Sequence, residues 1–188
     1  MGLVRVERLS EEFDVEFEAF AFELRPGMPP EGMARKEASR GRVYPPGYLD
    51  NMRQMAADSG IDMKRPAIIP NTRKAHEATE FAKDGGALLA FHRAVFKAYW
   101  SDEQNIGEIE VLCRVAGECG LNSEALRQAL ADGRYAERVQ EQLAWGRAAG
   151  ITGVPTVVFN GRFAVVGAQD SEVFRDVGRH VVEGRVSA

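Results

Sequence analysis

The sequence predicts an α/β protein in which a small sheet is interrupted by a long, all-helical block. Three observations predict it. Residues Val15–Leu24 alternate, with Val15, Phe17, Ala19 and Ala21 on one side and Phe20, Phe22 and Leu24 on the other; that period of two marks a strand. From Tyr48 to Gly150 the apolar spacing is helical and glycines punctuate it. Then Thr156–Phe159 and Arg162–Val166 form two apolar runs joined by Asn160-Gly161, the turn pair that a tight hairpin requires because both central residues need positive φ.

In chain order, Leu3–Glu12 reads as a short helix and Val15–Leu24 as a strand ended by Arg25-Pro26-Gly27. Residues 26–47, rich in proline and glycine, form a long surface connection that is partly helical and has the character of a lid. Helices follow over Tyr48–Ser59, closed by Gly60, and Thr72–Lys83, closed by Gly85-Gly86. Leu88–Trp100 is apolar on most sides and is expected at the centre of the block. Asn105 is expected to cap Ile106–Cys119, and Asn122 to cap Ser123–Ala131. Arg134–Ala149 ends the run at Gly150, and after the hairpin a helix capped by Asp170 or Ser171 runs to about Glu183.

Composition narrows the function classes. The 188 residues carry a net charge of −4, without the basic excess of a nucleic-acid binder. No apolar run approaches the roughly 18 residues of a membrane span. Two cysteines do not make a disulfide framework. The opening Met1–Ser10 alternates charge with apolar residues and does not resemble a leader, which points to the cytoplasm. Phosphate-binding glycine loops and a Gly-x-Ser-x-Gly elbow are missing, and His76, His92 and His180 are too scattered for a metal signature. The acidic run Glu7, Glu11, Glu12, Asp14, Glu16, Glu18 reads as a solvated face. Lys64, Arg65, Arg73 and Lys74 read as solvated surface or as an attractor for a carboxylate such as that of glutathione.

Gly153-Val154-Pro155-Thr156, just before the hairpin, is the most informative local feature. A trans proline here merely starts a strand. A cis bond would turn the Val154 backbone outward, where its N–H and C=O can pair with an extended peptide.

These residues carry a resemblance. Ile151-Thr152-Gly153-Val154-Pro155-Thr156-Val157-Val158-Phe159-Asn160-Gly161-Arg162-Phe163, followed by Val166-Gly167-Ala168-Gln169, resembles the C-terminal half of DsbA-family proteins. Asn71-Thr72-Arg73-Lys74-Ala75-His76 is similar to the Asn-Thr-x-x-Ala-His signature of the FrnE-like branch. So are Phe96-Lys97-Ala98-Tyr99-Trp100, Val111-Leu112, Gly120-Leu121 and Phe22-Glu23-Leu24-Arg25-Pro26. The likeness runs in order along essentially the whole chain. It implies a thioredoxin-like sheet with a large helical insertion: residues 1–47 and 151–188 as a discontinuous thioredoxin-like domain, 48–150 as the insertion. It implies a cis-proline loop at Val154-Pro155, and dithiol–disulfide exchange on peptide or protein thiols. Val154, Pro155, Asn71, His76 and Trp100 would contact substrate. No metal or bound cofactor is implied, with glutathione as the one candidate co-substrate. Read by itself, Asn71 is equally well a helix N-cap, and His92 reads as a core histidine.

The sequence departs from the family at its start. Met1–Leu9 resembles the helix just beyond the family's Cys-x-x-Cys, while the first strand and both motif cysteines have no counterpart. Cys113 and Cys119 do not replace them: six residues apart on a helix, they are separated by about 9 Å of rise, beyond the roughly 7 Å Cα reach of a disulfide. No catalytic residue is therefore assigned, and exchange by these 188 residues is expected to be impaired. The missing strand would be restored by an upstream start, replaced by a strand shared in a homodimer, or dispensed with in a different fold. Two alternatives accompany the oxidoreductase reading: a glutathione-dependent isomerase or transferase of the hydroxychromene-carboxylate type, and a redox-inactive module that binds peptides by strand addition.

Overall fold

A computed structural model describes residues 1–184. The elements are α1 (Gly2–Leu9), β1 (Met33–Ala34), α2 (Arg35–Ala38), α3 (Tyr48–Ala57), β2 (Ile68–Ile69), α4 (Arg73–Asp84), α5 (Leu88–Trp100), α6 (Ile109–Glu118), α7 (Ser123–Ala131), α8 (Ala136–Ala148), β3 (Thr156–Phe159), β4 (Phe163–Val166) and α9 (Ser171–Val182). Contacts divide the chain into two units: Met1–Ala19 with the chain from Gly146 onward, and Phe20–Trp145.

In the first unit, β3 and β4 pair antiparallel, Thr156 opposite Val166 and Phe159 opposite Phe163. The turn is the one that Asn160-Gly161 demands, with φ of 47° and 69°. One face of the hairpin, Val157, Phe159 and Val165, packs with Val6 and Leu9 of α1 and Phe174 and Val177 of α9. Phe13, Val15 and Phe17 complete this core. The other face is open, with Val158 and Val166 exposed. β3 pairs with β4 alone among the described residues, so its second edge carries no ladder.

The helical unit is built on small-residue contacts. Ala75, Ala78 and Ala82 repeat at three- and four-residue spacing along α4 and let it approach its neighbours closely. Phe91, Val95 and Ala98 of α5, Leu112 and Val115 of α6, and Leu126 and Leu130 of α7 fill the rest of a single core. Two polar chains fasten the edges of this unit. Ala21 N–H donates to Gln142 Oε1 at 2.8 Å, and Gln142 Nε2 donates to Glu80 Oε1 at 2.8 Å. Arg35 donates from Nε to the Pro66 carbonyl at 2.5 Å and from Nη2 to the Tyr99 hydroxyl at 2.8 Å. A two-residue ladder, Met33 opposite Ile69 and Ala34 opposite Ile68, runs beside it.

Two expectations need correction. Val15–Leu24 alternates in burial as its pattern predicts, yet forms no ladder, because no strand among the described residues lies along it to supply partners. Asn105 does not cap α6, which begins at Ile109; its Oδ1 instead accepts from Gly107 N–H at 3.0 Å in a turn of its own. Residues 26–47 form a surface connection that is partly helical, as expected, and it is tied at two points: by the bonds of Arg35, and by Asn71, whose Nδ2 donates to the Met28 carbonyl at 2.6 Å. By contacts, residues 20–47 group with the helical unit; the expected limit at residue 188 lies outside the described residues.

Candidate functional site

The sequence-predicted site residues fall in both units. In the first unit, the Val154–Pro155 peptide bond is cis. The Pro155 carbonyl accepts from Gly167 N–H at 2.8 Å and the Thr156 hydroxyl donates to the Gly153 carbonyl at 2.8 Å, so the loop is fixed on both sides. Val154 itself is 49% exposed, and neither its N–H nor its C=O has a partner among the described residues. The first residue of α1 lies against this bend: a Cβ at Gly2 would stand 2.7 Å from Pro155 Cβ, closer than carbon atoms approach, so only glycine fits. Arg5, on the same helix, donates to the Gln169 carbonyl and holds α1 to the far end of β4. An open strand end, an unpaired backbone and the N-terminus of a helix thus meet at one place.

In the helical unit, Asn71 and His76 flank the first turn of α4. Asn71 Oδ1 accepts from Arg73 N–H at 2.9 Å in a turn that leads into α4, whose N-cap is Thr72, while its Nδ2 holds Met28. Both ends of this amide are spent on the fold. His76 hydrogen-bonds to the backbone of Phe22, and its Nε2 is buried without a partner. Burial pushes the imidazole down from its usual 6.5 to about 4, against the opposing pull of the Glu23 carboxylate, so the ring is neutral at pH 7. Glu23 grips Arg73 with both oxygens, at 2.8 and 3.2 Å. Trp100 ends α5 with its ring edge-on to Tyr99, centroids 4.8 Å apart, and its carbonyl accepts from Lys64 N–H at 2.7 Å.

The basic cluster separates. Arg73 is held by Glu23, and Lys74 by Glu77 at 3.0 Å and the Leu130 carbonyl at 2.8 Å. Lys64 and Arg65 stand apart from these, beside the Pro66 carbonyl that Arg35 binds. Nothing in the sequence spacing pointed to Arg35.

Cys113 is buried and Cys119 half-buried, and neither is bonded. Burial raises both thiols above their usual range, and the adjacent Glu118 raises Cys119 further. Both therefore rest as unreactive thiols at neutral pH. Among the described residues no group of three His, Cys, Asp or Glu side chains could hold a metal ion, and no helix is long and apolar enough to cross a membrane.

The family model of the DSBA-like thioredoxin domain matches residues 1–177. The chain belongs to that family. It is 30% identical over 164 residues to the uncharacterized Bacillus subtilis (strain 168) protein YwbO, a match over 86% of this chain and 80% of that one. Its fold superposes on a probable DsbA oxidoreductase from Streptomyces coelicolor with a TM-score of 0.83 and 26% identity, covering 100% of this chain and 86% of the other. A 2-hydroxychromene-2-carboxylate isomerase shares the fold at a TM-score of 0.69 and 20% identity, with 99% and 94% covered. The architecture is thus that of the DsbA-like thioredoxin fold, with its helical insertion between α1 and the β3–β4 hairpin.

Proposed function

We propose that this DsbA-like chain is a thiol–disulfide oxidoreductase of the FrnE-like branch, acting in the cytoplasm on cysteine-bearing peptides or proteins that lie extended along Val154. The observation that carries this reading is the exposed Val154 backbone, with neither N–H nor C=O satisfied, set against the first residue of α1. A peptide strand pairing there gains two backbone hydrogen bonds. A thiolate at the N-terminus of α1 would have the helix dipole to stabilise it.

The chemistry needs a dithiol at that place, and Cys113 and Cys119 do not provide it. Both lie on the far side of the sequence from α1, both have raised pKa, and both sit in or against the core of the helical unit. The reading therefore assigns the Cys-x-x-Cys to residues preceding Met1 in the native product, with Val154 and Pro155 as the substrate contacts. Asn71 ties Met28 and the start of α4, and the ring of Trp100 stands edge-on to Tyr99.

The test is insulin reduction, run on the 188-residue polypeptide and on the protein purified from its native host, together with intact mass and a free-thiol count. The expected result is a heavier native product with two additional thiols and with activity, and a 188-residue polypeptide without it. A native product of this chain's mass, with two thiols and no exchange, overturns the reading. Glutathione binding by calorimetry, with no insulin reduction by either sample, would favour isomerase or transferase chemistry instead.

A further inference from the structure

Helix α3 buries one residue, Ala56. Its large apolar side chains lie toward water: Tyr48 is 42% and Met55 37% exposed, and Leu49 and Met52 are half-buried. Tyr48, Met52 and Met55 follow at intervals of four and three residues, so they share one face. The chain before the helix extends that face. Tyr48 N–H donates to the Pro45 carbonyl at 3.1 Å across a turn whose third residue is Gly47, at φ +74°. That is the type II turn, which needs glycine there. It brings Tyr44 back onto Tyr48, with ring centroids 5.1 Å apart and planes at 12°. The Arg42 guanidinium stands over the Tyr44 ring, 6.0 Å from its centroid. Val43, between Arg42 and Tyr44, is 91% exposed. A cation, two stacked rings and two thioethers thus form one strip along α3.

Charge and side-chain chemistry say what covers this strip. Arg42 forms no ion pair among the described residues. Arg40, two residues earlier along the chain, is within about 7 Å of it at the backbone, inside the screening length at physiological salt. The carboxylates of α3 and its C-cap are engaged elsewhere: Asp50 pairs with Arg53 at 3.1 Å, and Asp58 accepts from Gln54 Nε2 at 2.8 Å. Asp50 lies about 200° around the helix from Tyr48, opposite the strip. The strip is therefore apolar along its length and cationic at the Tyr44 end, in a chain whose net charge is −4. None of the six methionines is buried, so Met52 and Met55 are not filling gaps in the core. Exposed thioethers adapt to apolar partners of differing shape. A membrane surface fits less well, because interfacial helices carry Lys and Arg on their polar side, where α3 and its C-cap have Asp50 and Asp58 with Arg53 alone.

We propose that the strip formed by Arg42, Tyr44, Tyr48, Met52 and Met55 docks an acidic amphipathic helix of a partner protein. The partner's apolar side chains cover the rings and thioethers, as when an amphipathic helix is laid on an apolar surface. Its carboxylates meet the guanidinium end, where the planar fork of arginine matches two carboxylate oxygens. This surface is independent of the thiol chemistry proposed above, and it stands if that reading falls.

The test adds two fluorescein-labelled synthetic helices to the full 188-residue chain and follows anisotropy. One carries leucine and glutamate in heptad spacing; its twin has the same leucines with lysine in place of glutamate. The glutamate helix should bind saturably and weaken as salt rises, and the lysine helix should bind about tenfold more weakly. Arg40→Gln with Arg42→Gln should weaken the glutamate helix about tenfold, the worth of two exposed ion pairs. Met55→Glu, at an exposed position, should abolish saturable binding while the unfolding midpoint stays where it was. Methyl resonances give the second measurement: those of Met52 and Met55 should shift saturably with the glutamate helix, and that of Met28, whose carbonyl is held by Asn71, should not. Equal binding of the two helices would be general apolar adhesion and would overturn the proposal. No binding, or unmoved Met52 and Met55 methyls, would overturn it as well. Self-association relieved by Met55→Glu would give the strip to a second copy, and binding of phosphatidylserine vesicles without the glutamate helix would give it to a membrane; either result rejects the acidic partner.

Discussion

At Cys113, Cys119 and His76, burial sets the proton state. Both thiols should react slowly with a disulfide reagent at pH 7, with a rate that keeps climbing above the usual thiol range. Cys113→Ser with Cys119→Ser should leave the basal behaviour of the 188-residue chain in insulin reduction unchanged; loss of activity in that variant would mean that these cysteines are the working pair. His76 should titrate near pH 4 by NMR of its ring protons. Its native pKa lies below the unfolded value of about 6.5, so the unfolded chain binds the extra proton first. The stabilising contribution of the neutral ring is therefore full above pH 6.5 and declines as pH falls toward 4. Unfolding midpoints measured between pH 7 and 4 should fall more steeply for the native chain than for His76→Gln. Gly2→Ala forces a methyl into the Pro155 ring and should cost about 1–3 kcal/mol, as overpacked contacts do, with chemical-shift changes reaching Val154.

Helices were the most legible elements. Leu88–Trp100 and Ser123–Ala131 begin and end where their patterns predict, because glycine or a capping asparagine marks a boundary and an apolar stripe fixes the length. Asn122 accepts from Ala125 N–H at 2.9 Å as a cap should, and Asn122→Ala is expected to cost about 1 kcal/mol. Asn105 shows the limit of the same reasoning: one asparagine side chain can serve a turn as readily as a helix, and spacing does not choose between them. The paired dipeptides Met33–Ala34 and Ile68–Ile69 are too short to leave any periodic signal. The bonds that Arg35 and Asn71 make to backbone carbonyls leave no trace in the sequence for a different reason: any residue can offer a carbonyl. Asn71→Ala removes a turn bond and a tether together, and should lower stability by about 1–2 kcal/mol. It should also hasten tryptic cleavage at Arg40 and Arg42, which are exposed in the segment that the tether steadies.

For the whole molecule, the family and its fold were legible from the order of motifs along the chain, and the model match over residues 1–177 agrees with that order. The candidate site was legible in part. Gly153-Val154-Pro155-Thr156 announced itself through proline chemistry, whereas the bond of Arg35 to Tyr99 joins two residues that no local pattern relates. Each strand of the hairpin presents one edge without a ladder among the described residues, and the outer face bears Val158 and Val166; such edges invite pairing with a second chain. The 188-residue polypeptide should accordingly associate as its concentration rises. Val158→Lys should reduce that association in sedimentation without lowering the stability by more than about 0.5 kcal/mol, and concentration-independent monomers would contradict the expectation.

The stretch after α1 has an unusual combination of properties. Val15 and Phe17 bury their side chains in the first unit's core, yet the amides of Val15, Glu16 and Phe17 donate to nothing among the described residues. Hydrogen–deuterium exchange follows the amide, not the side chain. In such an experiment this segment should take up deuterium almost as fast as an unstructured peptide, while methyl and ring resonances of the same residues report a single fixed position. Exchange maps of this protein will therefore understate its order where the chain passes from one unit to the other, and a second chain that laid a strand along those amides would announce itself as a sudden, local loss of exchange.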